Sequence, residues 1–181
     1  LENWMHNAAV LSAFTKNYKT GEPIPADLVS KMDRALAFGR GLFIAQQARY
    51  TAISYDIYSK NPEQVNLDEI TDATMKQFTP FTEVPDTHMW ASFGHLAGYS
   101  SAYYTYMWDK VIAQDFYAQF NQTNPMLGDA AARYRKTVLE PGGSESANDL
   151  VKNFLGRPQN TKAFQAWISK EFTESAAGGG T

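Results

Sequence analysis

Apolar residues recur every three or four positions along most of this chain, and strict apolar/polar alternation over five or more residues is scarce. A period near 3.6 gathers such residues on one side of a helix, whereas a half-buried strand needs a period of two. The chain therefore reads as all-α, with several helices. Leu28, Met32, Ala35 and Leu36 make an i, i+4, i+7, i+8 stripe. Their helix is expected to start after Pro23-Ile24-Pro25, because proline suits a first turn, and to end near Gly39-Arg40-Gly41. Over 42–58 the apolar and small residues spread around the circumference, with Ile44, Ala48, Ala52 and Tyr55 on one side and Tyr50, Ile53 and Ile57 on another. That distribution predicts a helix buried on several faces, in the core. Further helices are expected at 67–78, 100–120, 127–138, 145–155 and 161–171. Pro80 and Pro85 make 79–86 a loop, Asn121 to Pro125 stops the long helix, Ser144 is the expected N-cap of the next helix but one, and Gly156 its C-terminal stop.

With 181 residues, 44% of them hydrophobic, the chain can bury a core. Neither a repeat nor a linker divides it, so one helical domain over 1–174 and a flexible tail over 175–181 are expected. Sixteen basic against nineteen acidic side chains give a net charge of −3, without the basic stripe that nucleic-acid binding needs, so no such partner is expected. No apolar run approaches the roughly 18 residues of a membrane span. The absence of cysteine excludes disulfides, a zinc ribbon and a thiol nucleophile, and suits a cytoplasmic protein. The chain opens on Leu1-Glu2-Asn3-Trp4-Met5 with no initiator methionine or signal peptide, and so reads as cut from something longer.

Few residues could carry chemistry. The three histidines, His6, His88 and His95, include no i, i+4 pair, and Glu2 with His6 on one helix face falls short of a three-ligand site, so no metal site is expected in this chain. Neither a nucleophile elbow nor a glycine-rich phosphate loop is present. The unusual segment runs from Phe93 to Trp108, where a histidine between Gly94 and Gly98 leads into a helix holding most of a cluster of five tyrosines. At about 100° per residue, Tyr99, Tyr103 and Tyr106 share a sector of roughly 60° that also takes Lys110 and Tyr117, while Tyr104, Met107, Trp108 and Val111 form a second face suited to packing. Aromatic stripes at this spacing usually pack, with hydroxyls at the rim. The functional reading is a cleft in which phenols donate hydrogen bonds to a carbonyl oxygen that gains negative charge, since a phenol stays protonated at neutral pH on a stiff ring.

This segment resembles the M3 family of zinc oligopeptidases, the thimet oligopeptidase, neurolysin and bacterial oligopeptidase A group. Further markers follow in order. Leu1-Glu2-Asn3-Trp4 resembles the start of the family's helical run after its third zinc ligand. Tyr18 to Pro25 is similar to its Tyr-x-Thr-Gly-x-x-x-Pro turn, Tyr134 to Ser144 to its Tyr-Arg-x-x-Ile-Leu-x-Pro-Gly-Gly-Ser, and Phe154-Leu155-Gly156-Arg157 to its Phe-Leu-Gly-Arg. The resemblance implies a larger helical enzyme whose zinc, bound through a His-Glu-x-x-His helix and a later glutamate, lies before Leu1. By the same resemblance Tyr103 and Tyr106 match the catalytic tyrosines, and Tyr99, His95, Gly94 and Gly98 the substrate-binding loop, which is one residue shorter here because a single glycine precedes Tyr99. The partners implied are short peptide substrates and the missing N-terminal part, and an uncovered apolar or tyrosine-rich face is expected to favour self-association. Two other readings compete: a free-standing helical peptide-binding module without catalysis, and a purely structural helical protein.

Overall fold

The structure, a computed structural model, describes residues 2–177, with side chains described to residue 170. Every regular element among the described residues is helical. The chain divides into two compact units, Leu1–Phe38 with Lys110–Thr181, and Gly39–Asp109.

In the first unit, a 3-10 turn over Glu2–His6 leads into α1 (Ala8–Phe14). Asn7 caps α1 by accepting from the Ala9 and Val10 amides, and its Nδ2 donates to the Gln122 and Thr123 carbonyls at 3.3 and 3.2 Å. One side chain thus closes a helix end and ties the turn at 121–124 to it. The Tyr18 to Pro25 segment is a true turn. Gly21 adopts φ 75, which a side chain would strain, and Asn17 accepts from the Lys19 and Thr20 amides. Helix α2 (Ala26–Ala37) follows Pro25, as the proline predicts. Its packing differs from expectation: Leu28, Met32 and Leu36 are exposed, while Val29 and Ala37 are buried. The stripe legible in the sequence is the uncovered one, because the elements packed on α2 within this unit cover a neighbouring face.

The second unit is built on α3 (Arg40–Tyr58) and α4 (Leu67–Phe78). Gly39 at φ 72 is the N-cap of α3, which starts with only Phe38 and Gly39 between it and the end of α2. Helix α3 is covered on several faces over its middle, where no residue from Ile44 to Ser54 is exposed and Arg49, Ile53 and Ser54 are enclosed, while Leu42, Phe43, Tyr55 and Tyr58 nearer its ends are exposed. Helix α4 has its expected bounds, with Asn66 accepting from the Glu69 amide as N-cap. The 79–86 loop is anchored by Glu83, whose carboxylate meets buried Arg49 at 2.8 Å. Two short helices, α5 (Met89–Ser92) and α6 (His95–Tyr99), then precede a 3-10 turn over Ala102–Tyr104 and α7 (Thr105–Tyr117). The single helix expected at 100–120 is therefore interrupted at its start, by a reversal at Ser100 with φ 51.

The remaining elements belong to the first unit: α8 (Ala130–Tyr134), continued by a π-turn over Arg135–Leu139, then α9 (Ala147–Leu155) and α10 (Lys162–Ala177). Ser146, not Ser144, caps α9 by accepting from the Asp149 amide, because Ser144 is used in the 3-10 turn Gly142–Ser144. Gly156 ends α9 at φ 69 as expected. Helix α10 runs past its expected end and takes in the first three positions assigned to a tail; residues 178–181 lie outside the described residues. An aromatic core of Phe120 and Phe154 with Trp4, Phe116 and Tyr134 around them holds this unit. Its rings meet mostly edge to face, as Phe116 and Phe154 do at 4.9 Å.

Asp115, buried on α7, fixes the chain beyond α9. Its carboxylate accepts from Arg157 Nη1 and Nη2 at 2.8 and 2.7 Å and from the Asn160 amide at 3.0 Å. The Arg157 hydrogen bonds hold the Asp115 carboxyl below the usual aspartate range. Because the folded value is depressed, this contribution is present above the unfolded value of about 3.9 and is lost as pH falls through the folded one. Arg157→Ala should therefore destabilise the chain by about 1–3 kcal/mol at neutral pH, as removal of charge-assisted hydrogen bonds from a buried carboxylate does. Urea unfolding at pH 7 and pH 3 checks both points, and the deficit should shrink at the lower pH.

Candidate functional site

The tyrosine cluster lies wholly within the 39–109 unit. Tyr103 and Tyr106 are adjacent on the turn into α7, while Tyr99 and His95 come from α6 across the reversal at Ser100. The helical wheel thus groups the correct tyrosines by a route the fold does not use, since Tyr99 is not on the helix of Tyr106. The ring centroids of Tyr103 and Tyr106 are 5.0 Å apart, those of Tyr99 and Tyr106 5.9 Å. His95 stands among them, 5.7 Å from Tyr99, 5.3 Å from Tyr103 and 5.8 Å from Tyr106. Tyr50 of α3 and Phe93 complete the group, each edge-on to Tyr103 at 5.6 and 5.1 Å.

All of these residues except Tyr106 line a cleft of about 620 Å³, which is completed by Met89, Ser92 and the two glycines, Gly94 and Gly98. Neither glycine has a positive φ, and a Cβ on either would meet nothing. Backbone conformation therefore does not demand glycine at these positions, and what their small size leaves open is the cleft itself.

Within the cluster the phenols differ. Tyr103 is only 7% exposed, and its hydroxyl donates to Gln47 Oε1 at 3.1 Å. Burial pushes its phenol above the ordinary tyrosine value, and the Tyr50 phenol adds to this. Tyr106 is 41% exposed, and its hydrogen bond with Tyr99 raises its phenol too. Both remain protonated donors at neutral pH. On the other face of the segment, Tyr104 and Trp108 are exposed although the sequence pattern reads them as packing, and Val111 is buried as expected. Lys110 and Tyr117, placed in the tyrosine sector by the wheel, are used elsewhere: Lys110 pairs with Glu2 at 2.8 Å, and Tyr117 packs on Phe120.

The loop carrying His95 and Tyr99 is tied to α3. Ser54 Oγ donates to the Ser100 carbonyl at 2.5 Å, and the Tyr58 hydroxyl to the Leu96 carbonyl at 2.6 Å. A non-glycine residue at positive φ costs about 1–3 kcal/mol and persists only where its surroundings over-determine it. The buried Ser54 bond supplies that determination at Ser100. Sequence reading missed Gln47, Ser54 and Tyr58. Their signal was present as polar residues at i, i+7 and i+11 on a helix otherwise rich in apolar ones.

Glu2 and His6 form no metal pair, since their segment is a 3-10 turn and Glu2 is engaged by Lys110. Among the described residues no group of three or more histidine and carboxylate side chains could hold a metal ion. The described side chains do not fit a zinc site, and the chemistry they offer is hydrogen bonding from phenols in an aromatic cleft. No described helix is long and apolar enough to cross a membrane.

A family profile, that of peptidase family M3, matches residues 1–169. Oligopeptidase A of Escherichia coli is 29% identical over 164 residues, covering 87% of this chain and 24% of that protein. Organellar oligopeptidase A of Arabidopsis thaliana is 26% identical, covering 87% of this chain and 21% of that protein. Mitochondrial intermediate peptidase of Mus musculus is 27% identical, covering 86% and 22%. The chain thus spans about a quarter of the length of the curated relatives it matches.

Removing the buried Ser54 hydroxyl should cost about 0.5–1.5 kcal/mol, the net worth of one hydrogen bond, because the Ser100 carbonyl loses its donor at a residue of positive φ. Denaturant unfolding of Ser54→Ala measures that cost, and the Tyr99 resonances should move while those of the aromatic core around Phe154 stay in place.

Proposed function

This chain belongs to peptidase family M3, and on that premise we propose that it forms one wall of the substrate cleft of a larger zinc oligopeptidase that hydrolyses short peptides. The metal and the groups that activate water would lie in the remainder of that enzyme, which this chain's 24% share of its bacterial relative leaves room for. In this reading Tyr103 and Tyr106 serve the reacting carbonyl and the peptide backbone beside it, while His95, Tyr99, Gly94 and Gly98 line the path of the substrate. The observation that carries the proposal is the aromatic cleft lined by Tyr99, Tyr103 and His95, with the Tyr106 ring packed on these three at centroid distances of 5.0–5.9 Å. A purely packing role would bury the hydroxyls or leave them to water, without a cleft in front of them.

The physical basis is simple. A phenol held on a stiff, ring-packed side chain needs little reorganisation when a carbonyl oxygen gains charge, and its bond strengthens as the charge grows. The loop ties from Ser54 and Tyr58 keep Tyr99 and His95 in register with Tyr106. Exposed apolar side chains such as Leu42, Phe43, Leu28 and Leu36 suit burial against the rest of the enzyme or, in its absence, self-association.

The chain on its own should bind no stoichiometric zinc and cleave no peptide. A quenched fluorescent peptide assay with added zinc tests this, and zinc-dependent hydrolysis by the purified chain would contradict it. In the complete enzyme, Tyr106→Phe should lower kcat by about a hundredfold or more with a smaller change in KM, as loss of an oxyanion donor does. An unchanged kcat would return that tyrosine to packing. The binding-module reading predicts instead that the isolated chain takes up peptides and that no activity depends on the phenols.

A further inference from the structure

Helix α3 bonds the tyrosine cluster and its loop through three polar side chains on one face. Gln47, Ser54 and Tyr58 fall within about 40° of one another around the helix axis. Ser54 and Tyr58 donate to backbone carbonyls, of Ser100 and Leu96, and so fix the path of the chain. Gln47 differs in kind: it bonds a side chain of the cleft itself, accepting the Tyr103 hydroxyl at Oε1.

We propose that Gln47 is a positioning residue of the cleft, which fixes the direction of the Tyr103 hydroxyl and decides whether its hydrogen is held by α3 or given to a ligand. The chemistry of the amide makes this specific. With Oε1 toward Tyr103, the phenol hydrogen is committed to α3, and the phenol meets a ligand only as an acceptor. With the amide turned, the NH2 donates to the phenol oxygen and frees the hydrogen for a carbonyl. Leucine can do neither, and glutamate can only accept. The ring has little freedom of its own, because Tyr50, Phe93, His95 and Tyr106 surround it at 5.0–5.6 Å. The torsion of the hydroxyl is what remains to be set, and Gln47 is the side chain that bonds it.

Sequence order gives no hint of this pairing, since 56 residues separate the partners. Ser54 and Tyr58 support it indirectly by holding the loop that ends at Tyr103. The inference rests on the peptide-cleft reading only for what the ligand is; the Gln47–Tyr103 bond and its consequences for the hydroxyl hold in the chain alone.

The test uses the 181-residue chain with Cζ-labelled tyrosine in mixed H2O/D2O, where a slowly exchanging hydroxyl gives two isotope-shifted resonances and a fast one gives a single average. Assignment comes from Tyr103→Phe. The native chain should show two resonances for Tyr103, and Gln47→Leu should accelerate exchange at least about tenfold, the equivalent of one hydrogen bond, and merge them. Gln47→Glu, which keeps the acceptor, should preserve the pair. If Gln47→Leu fails to fold, Gln47→Asn, one methylene too short to reach, should give the merged signal. Unchanged Tyr103 exchange in a folded Leu or Asn variant would overturn the proposal, as would loss of protection in folded Gln47→Glu. A purely structural role would lower the thermal midpoint without singling out the Tyr103 hydroxyl. No peptide enters the measurement, so failure of the peptide reading and failure of this one are told apart.

Discussion

The hydrogen bond from buried Ser54 to the Ser100 carbonyl is the constraint on which the tyrosine cleft depends. Ser100 sits at φ 51, a conformation a serine adopts only under compulsion. The reversal made there brings α6 back over the start of α7, and that reversal is why Tyr99 and His95 face Tyr103 and Tyr106. On a straight helix through this segment His95, more than two turns from Tyr103, would lie off the tyrosine face. Position here comes from a few polar bonds between one helix and one loop, with aromatic packing filling the space they define.

The aromatic rings convert that path into chemistry. Tyr50, Phe93 and His95 pack edge-on or tilted around Tyr103, which holds the ring while leaving hydroxyl torsions to be set by hydrogen-bond partners. Tyr103 answers to Gln47, and Tyr106 to Tyr99. Both phenols are pushed above their ordinary value, Tyr103 chiefly by burial and Tyr106 chiefly by the bond to Tyr99. They are therefore donors across the physiological range rather than bases, which suits stabilising charge on a carbonyl and does not suit abstracting a proton.

Much of the fold was legible in the residues. The 67–78 helix, the start of α2 after Pro25 and the glycine stop at Gly156 follow from capping and backbone chemistry acting within a few residues. What the pattern misjudged is packing. Leu28, Met32 and Leu36 form a clear stripe yet lie exposed, and Tyr104 and Trp108 are exposed where Tyr103 is buried. Periodicity reports which residues share a face, and carries no information on which face meets a neighbour. The site was legible in its members, His95 and the three tyrosines, but not in its mechanism of assembly. The break at Ser100 and the partners Gln47, Ser54 and Tyr58 depend on contacts 38–56 residues apart in the chain. The polar stripe on α3 was the one local trace of them.

In the proposed role, Tyr103 and Tyr106 meet a peptide carbonyl in a larger M3 peptidase. A crystal structure of that complete enzyme with a non-hydrolysable peptide bound tests it most directly. A phenol oxygen of Tyr106 or Tyr103 should lie within about 2.6–3.2 Å of the carbonyl at the cleavage point, with the peptide running past His95 and Tyr99. A peptide bound elsewhere, or a cleft closed by packing against the remainder of the enzyme, would contradict it.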